Sequence, residues 1–421
     1  MKIAVWHNLP SGGAKRALYY HVRGLTERGH KLACWSLDTA DRSYLPLSEF
    51  APERVISPEP VNRPLKLSSK LAPHYDDAIS RMQAFDAACK QCAQEIAAGD
   101  FDLLFANTAI HYAVPYIMRH LQIKKVLYLQ EPCRFLYEAA PTLPWISSAS
   151  NDLYDAELLQ LIQFLPDLPE LQTLRVQAKQ EWLNAHASDV ILVNSYFSRE
   201  SVLRAYGLDA TVCYLGVDTT LFRDLDLPRE GFVVGLGSFD SIKRIELAIE
   251  AVALLRPPPR LVWIGNSGRE DYMTSLSDLA RTSGVDLEMK LNVADSELVA
   301  LLNKANLMLC TSRLEPFGFG VLEANACGLA VVAVREGGFR ETIRNGLNGF
   351  LVDADAGSIA SAATRILENP ALAKRMGRRA VSMMKRAWNV GASIDRLETI
   401  LERVVKCCLL VIRRVSEYLM I

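Results

Sequence analysis

The sequence lacks any long apolar run. Half of its 421 residues are hydrophobic, yet no segment approaches the roughly 18 consecutive apolar residues that a membrane-spanning helix needs. A signal-peptide pattern is also missing, because the run Lys2–Trp6 is too short for a hydrophobic core region and is typical of a first β-strand. We therefore expect a cytoplasmic protein, with peripheral contact at the inner face of the membrane as a further expectation.

The cysteines lack the order of a disulfide framework. There are nine, an odd number, and Cys34, Cys213 and Cys310 lie in apolar strand-like runs, as small buried hydrophobes in a reducing compartment do. Cys89 and Cys92 have the spacing of a redox motif, but they fall in a helical pattern with no second pair or histidine cluster nearby. We predict no metal site and no cofactor.

Net charge is also nearly absent. The chain has 47 basic and 48 acidic residues, a balance of −1, so no chain-wide field favours nucleic acid. Basic residues nevertheless concentrate in residues 1–35 and again in 371–388, where no acid occurs. These runs are either solvated helix faces or surfaces for anionic lipid headgroups or a phosphorylated acceptor.

What the sequence does contain is alternation of short apolar runs with helical patterns, and it occurs twice. The predicted strands are Ile3–Trp6, Lys31–Ser36, Phe101–Ala106, Lys125–Gln130 and Asp189–Asn194, then Phe232–Leu236, Arg260–Ile264, Asp286–Lys290, Leu307–Cys310, Ala330–Val334 and Phe350–Val352. The predicted helices are Ala14–Arg28, Tyr112–His120, Leu171–Ala187, Arg244–Leu255, Asp271–Thr282, Asp295–Lys304, Gly320–Cys327 and Arg340–Asn345. This order predicts an α/β protein with two doubly wound, Rossmann-like domains facing across a cleft.

The domain boundaries follow from composition. We expect an N-terminal domain over residues 1–222, with an excursion at 40–75 and a proline-rich insertion at about 139–170, and a C-terminal domain over 229–370. Residues 371–421 are predicted to be helices that return to pack on the N-terminal domain. In such sheets ligands bind beyond the carboxyl ends of the strands, so the loops that follow strands are the candidate sites.

Three of these loops have weak or moderate signals. Gly12 and Gly13 precede a helix, where free amides and the helix dipole favour an anion, although a plain turn has the same pattern. Gly237 and Ser238 follow a strand, and the loop ends in Lys243 and Arg244 at a helix start. The dipole disfavours cations there, so a bound diphosphate would explain them. Gly265 lies after the next strand and could approach a nucleotide. A dinucleotide fingerprint is poorly supported, because no third glycine follows Gly235 and Gly237.

The strongest signal is Glu315-Pro-Phe-Gly-Phe-Gly-Val-Leu-Glu323. Gly318 and Gly320 would bring backbone amides close to a ligand at a helix start. Two carboxylates would repel a diphosphate directly, but an ionised carboxylate is a strong acceptor for hydroxyl groups. Glu323 sits in an otherwise apolar helix, where an unpaired charge would be costly. We therefore expect both carboxylates to bind hydroxyls of a ribose and a sugar.

Together these motifs resemble the family-4 retaining glycosyltransferases of the GT-B fold, the group 1 set. The residues that carry the resemblance are Val193-Asn-Ser195, Leu215-Gly-Val-Asp218 with Phe222, Lys243, Glu315 and Glu323, Ala326-Cys-Gly328, Gly337-Gly338 with Glu341, and Asn348-Gly349.

The resemblance implies a role for each matching position. Glu323 should bind the donor ribose and Glu315 should lie by the transferred sugar. Phe317, Gly318, Phe319 and Gly320 should offer backbone amides to the sugar and phosphate, Lys243 should hold the diphosphate, and Gly12 and Gly13 should border the sugar and the acceptor. It further implies a metal-independent transfer of a sugar from a nucleoside-diphosphate sugar to a hydroxyl of a glycan or lipid-linked glycan, with retention of configuration by front-side attack, as in polysaccharide biosynthesis.

Two departures from the family pattern support an alternative, a degenerate relative that binds a nucleotide sugar or a partner without catalysis. Ser238 stands where the family usually has Arg, and Arg244, where glycine is common, is our candidate to replace that charge. The family's cleft histidine is also missing. Asn107 and Gln130 occupy the candidate strand ends, and Arg134 is our candidate acceptor or phosphate contact.

Overall fold

The computed structural model describes residues 1–59, 73–138 and 168–418, and it divides into two compact units. The first comprises Met1–Val193, Arg199–Thr211 and Leu397–Ile421, and the second Asn194–Ser198 and Val212–Arg396. Most of the insertion that we expected at 139–170 lies outside the described residues, as does the segment 60–72 of the expected excursion.

The first unit is built on a seven-stranded sheet of order β3-β2-β1-β4-β5-β6-β7. Its strands are β1 (Lys2–Asn8), β2 (Lys31–Leu37), β3 (Glu53–Ile56), β4 (Leu103–Ala109), β5 (Lys124–Tyr128), β6 (Val190–Val193) and β7 (Thr211–Val212). Its helices are α1 (Gly13–Glu27), α2 (Pro73–Ala97), α3 (Arg134–Tyr137), α4 (Leu168–His186) and α5 (Tyr196–Tyr206), the last of which begins within the second unit.

The second unit is built on a six-stranded sheet of order β10-β9-β8-β11-β12-β13, in which every pair is parallel. Its strands are β8 (Val233–Leu236), β9 (Leu261–Gly265), β10 (Leu287–Leu291), β11 (Leu307–Cys310), β12 (Val331–Val334) and β13 (Gly349–Val352). Its helices are α6 (Ile245–Ala253), α7 (Glu270–Ser283), α8 (Asp295–Lys304), α9 (Phe319–Ala326), α10 (Phe339–Thr342), α11 (Ala356–Leu367) and α12 (Pro370–Ala387), and α13 (Val390–Tyr418) follows.

Both sheets confirm the predicted fold class. β11 and β12 are buried along their whole length, as expected for parallel strands covered by helices on both faces. In each sheet the strand order reverses next to the first strand, between β1 and β4 and between β8 and β11. These reversals are the topological switch points where open α/β sheets bind ligands.

Several predicted elements were wrong or incomplete. Only a 3-10 turn, Tyr116–Arg119, forms where we expected a helix over Tyr112–His120, because Pro115 lacks an amide hydrogen and interrupts helical bonding. β3 lies inside the expected excursion. In place of a helix over Arg340–Asn345 there is a single helical turn, Phe339–Thr342. The Arg344 amide donates to the side chain of Asn348 and so does not continue the helix.

The C-terminal helices are divided between the two units. α12 belongs to the second unit, and only from Leu397, within α13, does the chain cluster with the first. The break between them, at Trp388 and Asn389, coincides with a pairing of Asn389 with Val217.

Among the described residues, no helix is long and apolar enough to span a bilayer.

A buried carboxyl ties α4 into the first unit. Glu181 is fully buried and accepts hydrogen bonds from the Ala113 amide at 3.1 Å and the Tyr206 hydroxyl at 2.8 Å. Burial raises the pKa of Glu181 to about 7, and hydrogen bonds from Tyr206, Gln177 and Ala113 oppose the rise. The folded state therefore holds this proton more tightly than the unfolded chain does.

This shift predicts a pH-dependent stability. Because the folded pKa is raised, the stabilisation is complete below the unfolded value of 4.5 and is lost as pH rises through about 7. The loss is on the order of 3 kcal/mol. Glu181→Gln should flatten the unfolding free energy across this window, as measured by urea unfolding at several pH values. Glu170→Gln, an exposed acid of the same helix, is the control, and equal slopes in wild type and Glu181→Gln would contradict the account.

Candidate active site

Two loops flank the switch point of the second sheet, one after β8 (237–244) and one after β11 (311–318). The Lys243 and Glu315 side chains, one from each loop, form an ion pair with 2.8 Å between Nζ and the carboxylate oxygen. Each is about one-fifth exposed, at 21% and 19%. The predicted phosphate cation and the predicted hydroxyl acceptor thus lie side by side.

The path of the Lys243 side chain depends on Gly237. A Cβ at Gly237 would lie 3.0 Å from Cδ of Lys243, and Gly237 has a φ of +151°. The carbonyl of Lys243 accepts a hydrogen bond of 2.8 Å from the Thr311 hydroxyl. Backbone and side chain of Lys243 are therefore both anchored, which directs its ammonium toward the β11 loop.

The β11 loop leads directly into helix α9. Gly318 caps this helix in the left-handed conformation, and a Cβ there would meet the Phe339 ring at 2.7 Å. Phe319 and Gly320 form the first turn, so their amides belong to the free N-terminal donors of the helix. The Phe317 side chain is buried, with its ring 5.8 Å from Trp388, and so contributes to the core.

Glu323 lies one turn further along α9 and is 7% exposed. Burial, followed by the negative charge of Glu323, raises the pKa of the Cys327 thiol to about 12. A carboxylate so nearly buried in an apolar helix requires polar or ligand partners.

The loop after β12 holds the Glu315 backbone in place. The Gly338 amide donates to the Glu315 carbonyl at 2.6 Å, and a Cβ at Gly337 would lie 2.2 Å from that carbonyl oxygen. No side chain fits at Gly337 without displacing Glu315.

Arg244 is held by a second ion pair from the β12 loop. Both terminal nitrogens of its guanidinium bind Glu336, at 3.1 and 2.6 Å, and Glu336 also accepts the Leu314 amide at 3.1 Å. Arg244 has a φ of +48°, the conformation that glycine adopts most easily. The guanidinium that we expected to supply a phosphate charge is therefore engaged by a carboxylate.

The remaining predicted residues of this unit shape the loops. The Trp263 indole donates to the Gly237 carbonyl at 2.9 Å, and a Cβ at Gly265 would lie 2.7 Å from that oxygen. Ser238 is half-buried beside them. Glu341 accepts the amides of Tyr196 and Phe197 at 2.9 and 3.1 Å, which assigns it to capping.

The first unit places its predicted residues near its own switch point. Gly12, with a φ of +136°, precedes α1, which begins at Gly13. Asn107 is buried near the carboxyl end of β4, and Gln130 follows β5. Arg134 pairs with Glu131 rather than standing open to a ligand.

Sequence reasoning missed four polar residues of this unit, namely His7, Asn8, Lys15 and Glu53. Asn8 and His7 end β1, and His7 lies 3.3 Å from Glu53, with its pKa lowered chiefly by burial. Lys15 is fully buried, and neither its ammonium nor the side-chain amide nitrogens of Asn8 and Asn107 have a hydrogen-bond partner among the described residues. The polar run His7-Asn8 before Gly12-Gly13 was the available signal.

The Arg244–Glu336 pair predicts that the effect of Arg244→Gly on stability depends on the residue at position 336. In the Glu336→Ala background, Arg244→Gly should raise the unfolding free energy by about 1 kcal/mol, because only the left-handed backbone strain is relieved. In the wild-type background the lost ion pair offsets this gain. A double-mutant cycle by chemical denaturation measures the difference, and the same effect of Arg244→Gly in both backgrounds would rule the pair out.

The chain is similar in sequence and fold to known glycosyl transferases. Residues 218–383 match the family described as Glycosyl transferases group 1. The chain is 25% identical over 322 residues to a D-inositol 3-phosphate glycosyltransferase of Thermobifida fusca, covering 68% of this chain and 73% of that protein. It is 28% identical over 174 residues to an N-acetyl-alpha-D-glucosaminyl L-malate synthase of Bacillus anthracis, covering 41% and 45%.

The chain spans about half the length of several curated relatives that it matches, among them the Bacillus anthracis protein. Among solved structures, Anabaena HepE in complex with UDP-glucose superposes with a TM-score of 0.67 at 20% identity, covering 96% of this chain and 100% of that one. At that identity the likeness establishes the fold alone. Residues 218–383 thus match the group 1 glycosyl transferases, and the two parallel sheets of the chain have the GT-B fold.

Proposed function

We propose that this protein transfers a sugar from a nucleoside-diphosphate sugar to a hydroxyl acceptor, with retention of configuration and without a metal ion. The observation that carries the proposal is the pairing of Lys243 with Glu315 at the switch point of the second sheet, beside the N-terminus of α9 and the buried Glu323. One cation, a set of free amides and two carboxylates suit the diphosphate and the hydroxyls of such a donor.

The donor fits this arrangement by charge. Its diphosphate carries more negative charge than one carboxylate, so it can compete with Glu315 for Lys243 while also accepting hydrogen bonds from the α9 amides. Glu315 is then released to accept hydroxyls of the transferred sugar. Glu323, one turn deeper, accepts the ribose hydroxyls. HepE, solved with UDP-glucose, has the same fold.

The same groups account for the chemistry. As the bond from the anomeric carbon to the diphosphate breaks, negative charge builds on the leaving phosphate, where Lys243 and the α9 amides stabilise it. The acceptor hydroxyl attacks from the face that the diphosphate leaves, which retains the configuration. A phosphate oxygen of the donor takes the hydroxyl proton, so no protein base is required.

The acceptor is proposed to be a hydroxyl of a glycan or lipid-linked glycan, handled by the protein in the cytoplasm. The relatives are named for inositol phosphate and malate products or acceptors, which shows how widely acceptors vary within similar chains. In the first unit, the side-chain nitrogens of Asn8, Asn107 and Lys15 are buried without a hydrogen-bond partner among the described residues, and we propose them as donors to acceptor oxygens.

A second candidate function is donor binding without turnover. Ser238 replaces the usual arginine, and the nearest substitute, Arg244, is engaged by Glu336. Incubation with UDP-, GDP- and ADP-sugars, with and without acceptor extracts, distinguishes the two. Release of free nucleoside diphosphate supports transfer, whereas nucleotide binding with no release from any donor supports the non-catalytic alternative.

Glu323→Ala should weaken donor binding more than tenfold, a change of about 1.4 kcal/mol or more, because the ribose hydroxyls lose their acceptor. Titration calorimetry with the donor identified in the screen measures it, and circular dichroism checks the fold. The exposed Glu297→Gln is the matched control. If both variants bind the donor like wild type, the donor site has been misplaced.

Glu315→Gln should change binding and turnover in opposite directions. Without the carboxylate, Lys243 is free for phosphate, so the free nucleoside diphosphate should bind several-fold more tightly, while kcat falls by about a hundredfold as the sugar loses its acceptor. Parallel calorimetry and steady-state kinetics test this split. Weaker diphosphate binding by Glu315→Gln would show that the pair does not restrain Lys243.

A further inference from the structure

Helix α12 has a solvent face made of cations. Its six exposed basic residues form two parallel rows with the same spacing of i, i+4 and i+11. The first row is Arg375, Arg379 and Arg386, and the second is Lys374, Arg378 and Lys385. At about 100° per residue the two rows together cover an arc of roughly 140°, and the helix contains no aspartate or glutamate.

The opposite face fixes the helix to the second unit. Met376, Gly377, Ala380 and Met384 are buried, and a Cβ at Gly377 would lie only 2.2 Å from the Gly328 carbonyl oxygen. This close contact prevents the helix from rotating its cations toward the protein. The basic rows therefore face solvent as a permanent feature of the fold.

None of these six side chains has an ion-pair partner within the described part of the chain. The other basic run of the sequence, in residues 1–35, differs, because Lys15 and Arg16 are buried and Arg28 pairs with Glu398 at 2.5 Å. Folding thus neutralises or buries much of one basic run and leaves the other exposed.

The two rows of α12 have different surroundings. Lys374 and Arg378 border a cleft of about 640 Å³ that is also lined by Asp224 and Asp226, so carboxylates stand near the second row. The first row is absent from that lining. Arg375, Arg379 and Arg386 therefore do not share a cleft with these carboxylates.

We infer that this face of α12 docks on an anionic lipid surface. Each basic residue near such a surface adds to the attraction, which acts only within about a Debye length, so a compact row suffices even in a chain with no net positive charge. Single-stranded nucleic acid fits less well, because the helix exposes only Pro370, Ala371, Ser382 and Ala387 besides the cations and so lacks aromatic rings on which bases stack. The inference does not depend on the proposed catalytic activity.

Co-sedimentation of the full chain with vesicles tests the surface. Vesicles of phosphatidylcholine with one-third phosphatidylglycerol should bind the protein, and binding should weaken as salt is added. Arg375→Gln/Arg379→Gln/Arg386→Gln should reduce the affinity about a hundredfold, which is about 2.8 kcal/mol at 1.4 kcal/mol per factor of ten. The matched control removes three exposed arginines elsewhere in the second unit, Arg256, Arg281 and Arg344, and should bind nearly as tightly as wild type.

Three results would overturn the inference. They are no binding to the anionic vesicles, equal losses in the α12 variant and the control, and displacement of vesicle-bound protein by single-stranded DNA that binds more tightly than the lipid. Thermal unfolding and nucleoside-diphosphate binding of the α12 variant should match wild type, because the substituted side chains are exposed and none of them lies in the donor site.

Discussion

The ion pair between Lys243 and Glu315 is the contact on which the rest of the candidate site depends. It joins the two loops that flank the switch point of the second sheet, and it keeps a cation and a carboxylate ready at the place where parallel sheets bind ligands. In the absence of a donor the pair satisfies both charges. A diphosphate offers Lys243 a stronger partner, so binding itself would release Glu315 to the sugar.

The surrounding structure limits how far this pair can move. Gly237 lies against the aliphatic part of the Lys243 side chain. Gly337 packs against the Glu315 carbonyl, and the Gly338 amide donates to it. Glu336 accepts hydrogen bonds from both Arg244 and the Leu314 amide. All of these contacts come from loops at the carboxyl ends of neighbouring strands. The site is therefore positioned by the sheet topology, while small residues permit the close backbone approaches that it needs.

The parts of this arrangement that could be predicted are those with local causes. Uniform apolar runs such as Leu307–Cys310 identify buried parallel strands, and the rule for strand ends then identifies the loops. The Arg244–Glu336 pair joins residues 92 positions apart, and no local pattern indicates it. β3 was not predicted because it has only four residues, two of them charged. The helix predicted over Tyr112–His120 was wrong because the apolar pattern was given more weight than Pro115. Lys15 and Asn8 are buried by tertiary packing, which the polar character of their loop does not reveal.

A structure of the protein with a bound nucleoside diphosphate tests the central claim most directly. The account predicts that the β-phosphate lies within hydrogen-bond distance of the Lys243 ammonium and the α9 amides, that Glu323 accepts the ribose hydroxyls, and that Glu315 has separated from Lys243. A nucleotide bound elsewhere, or one bound while the Lys243–Glu315 pair stays closed, would contradict it.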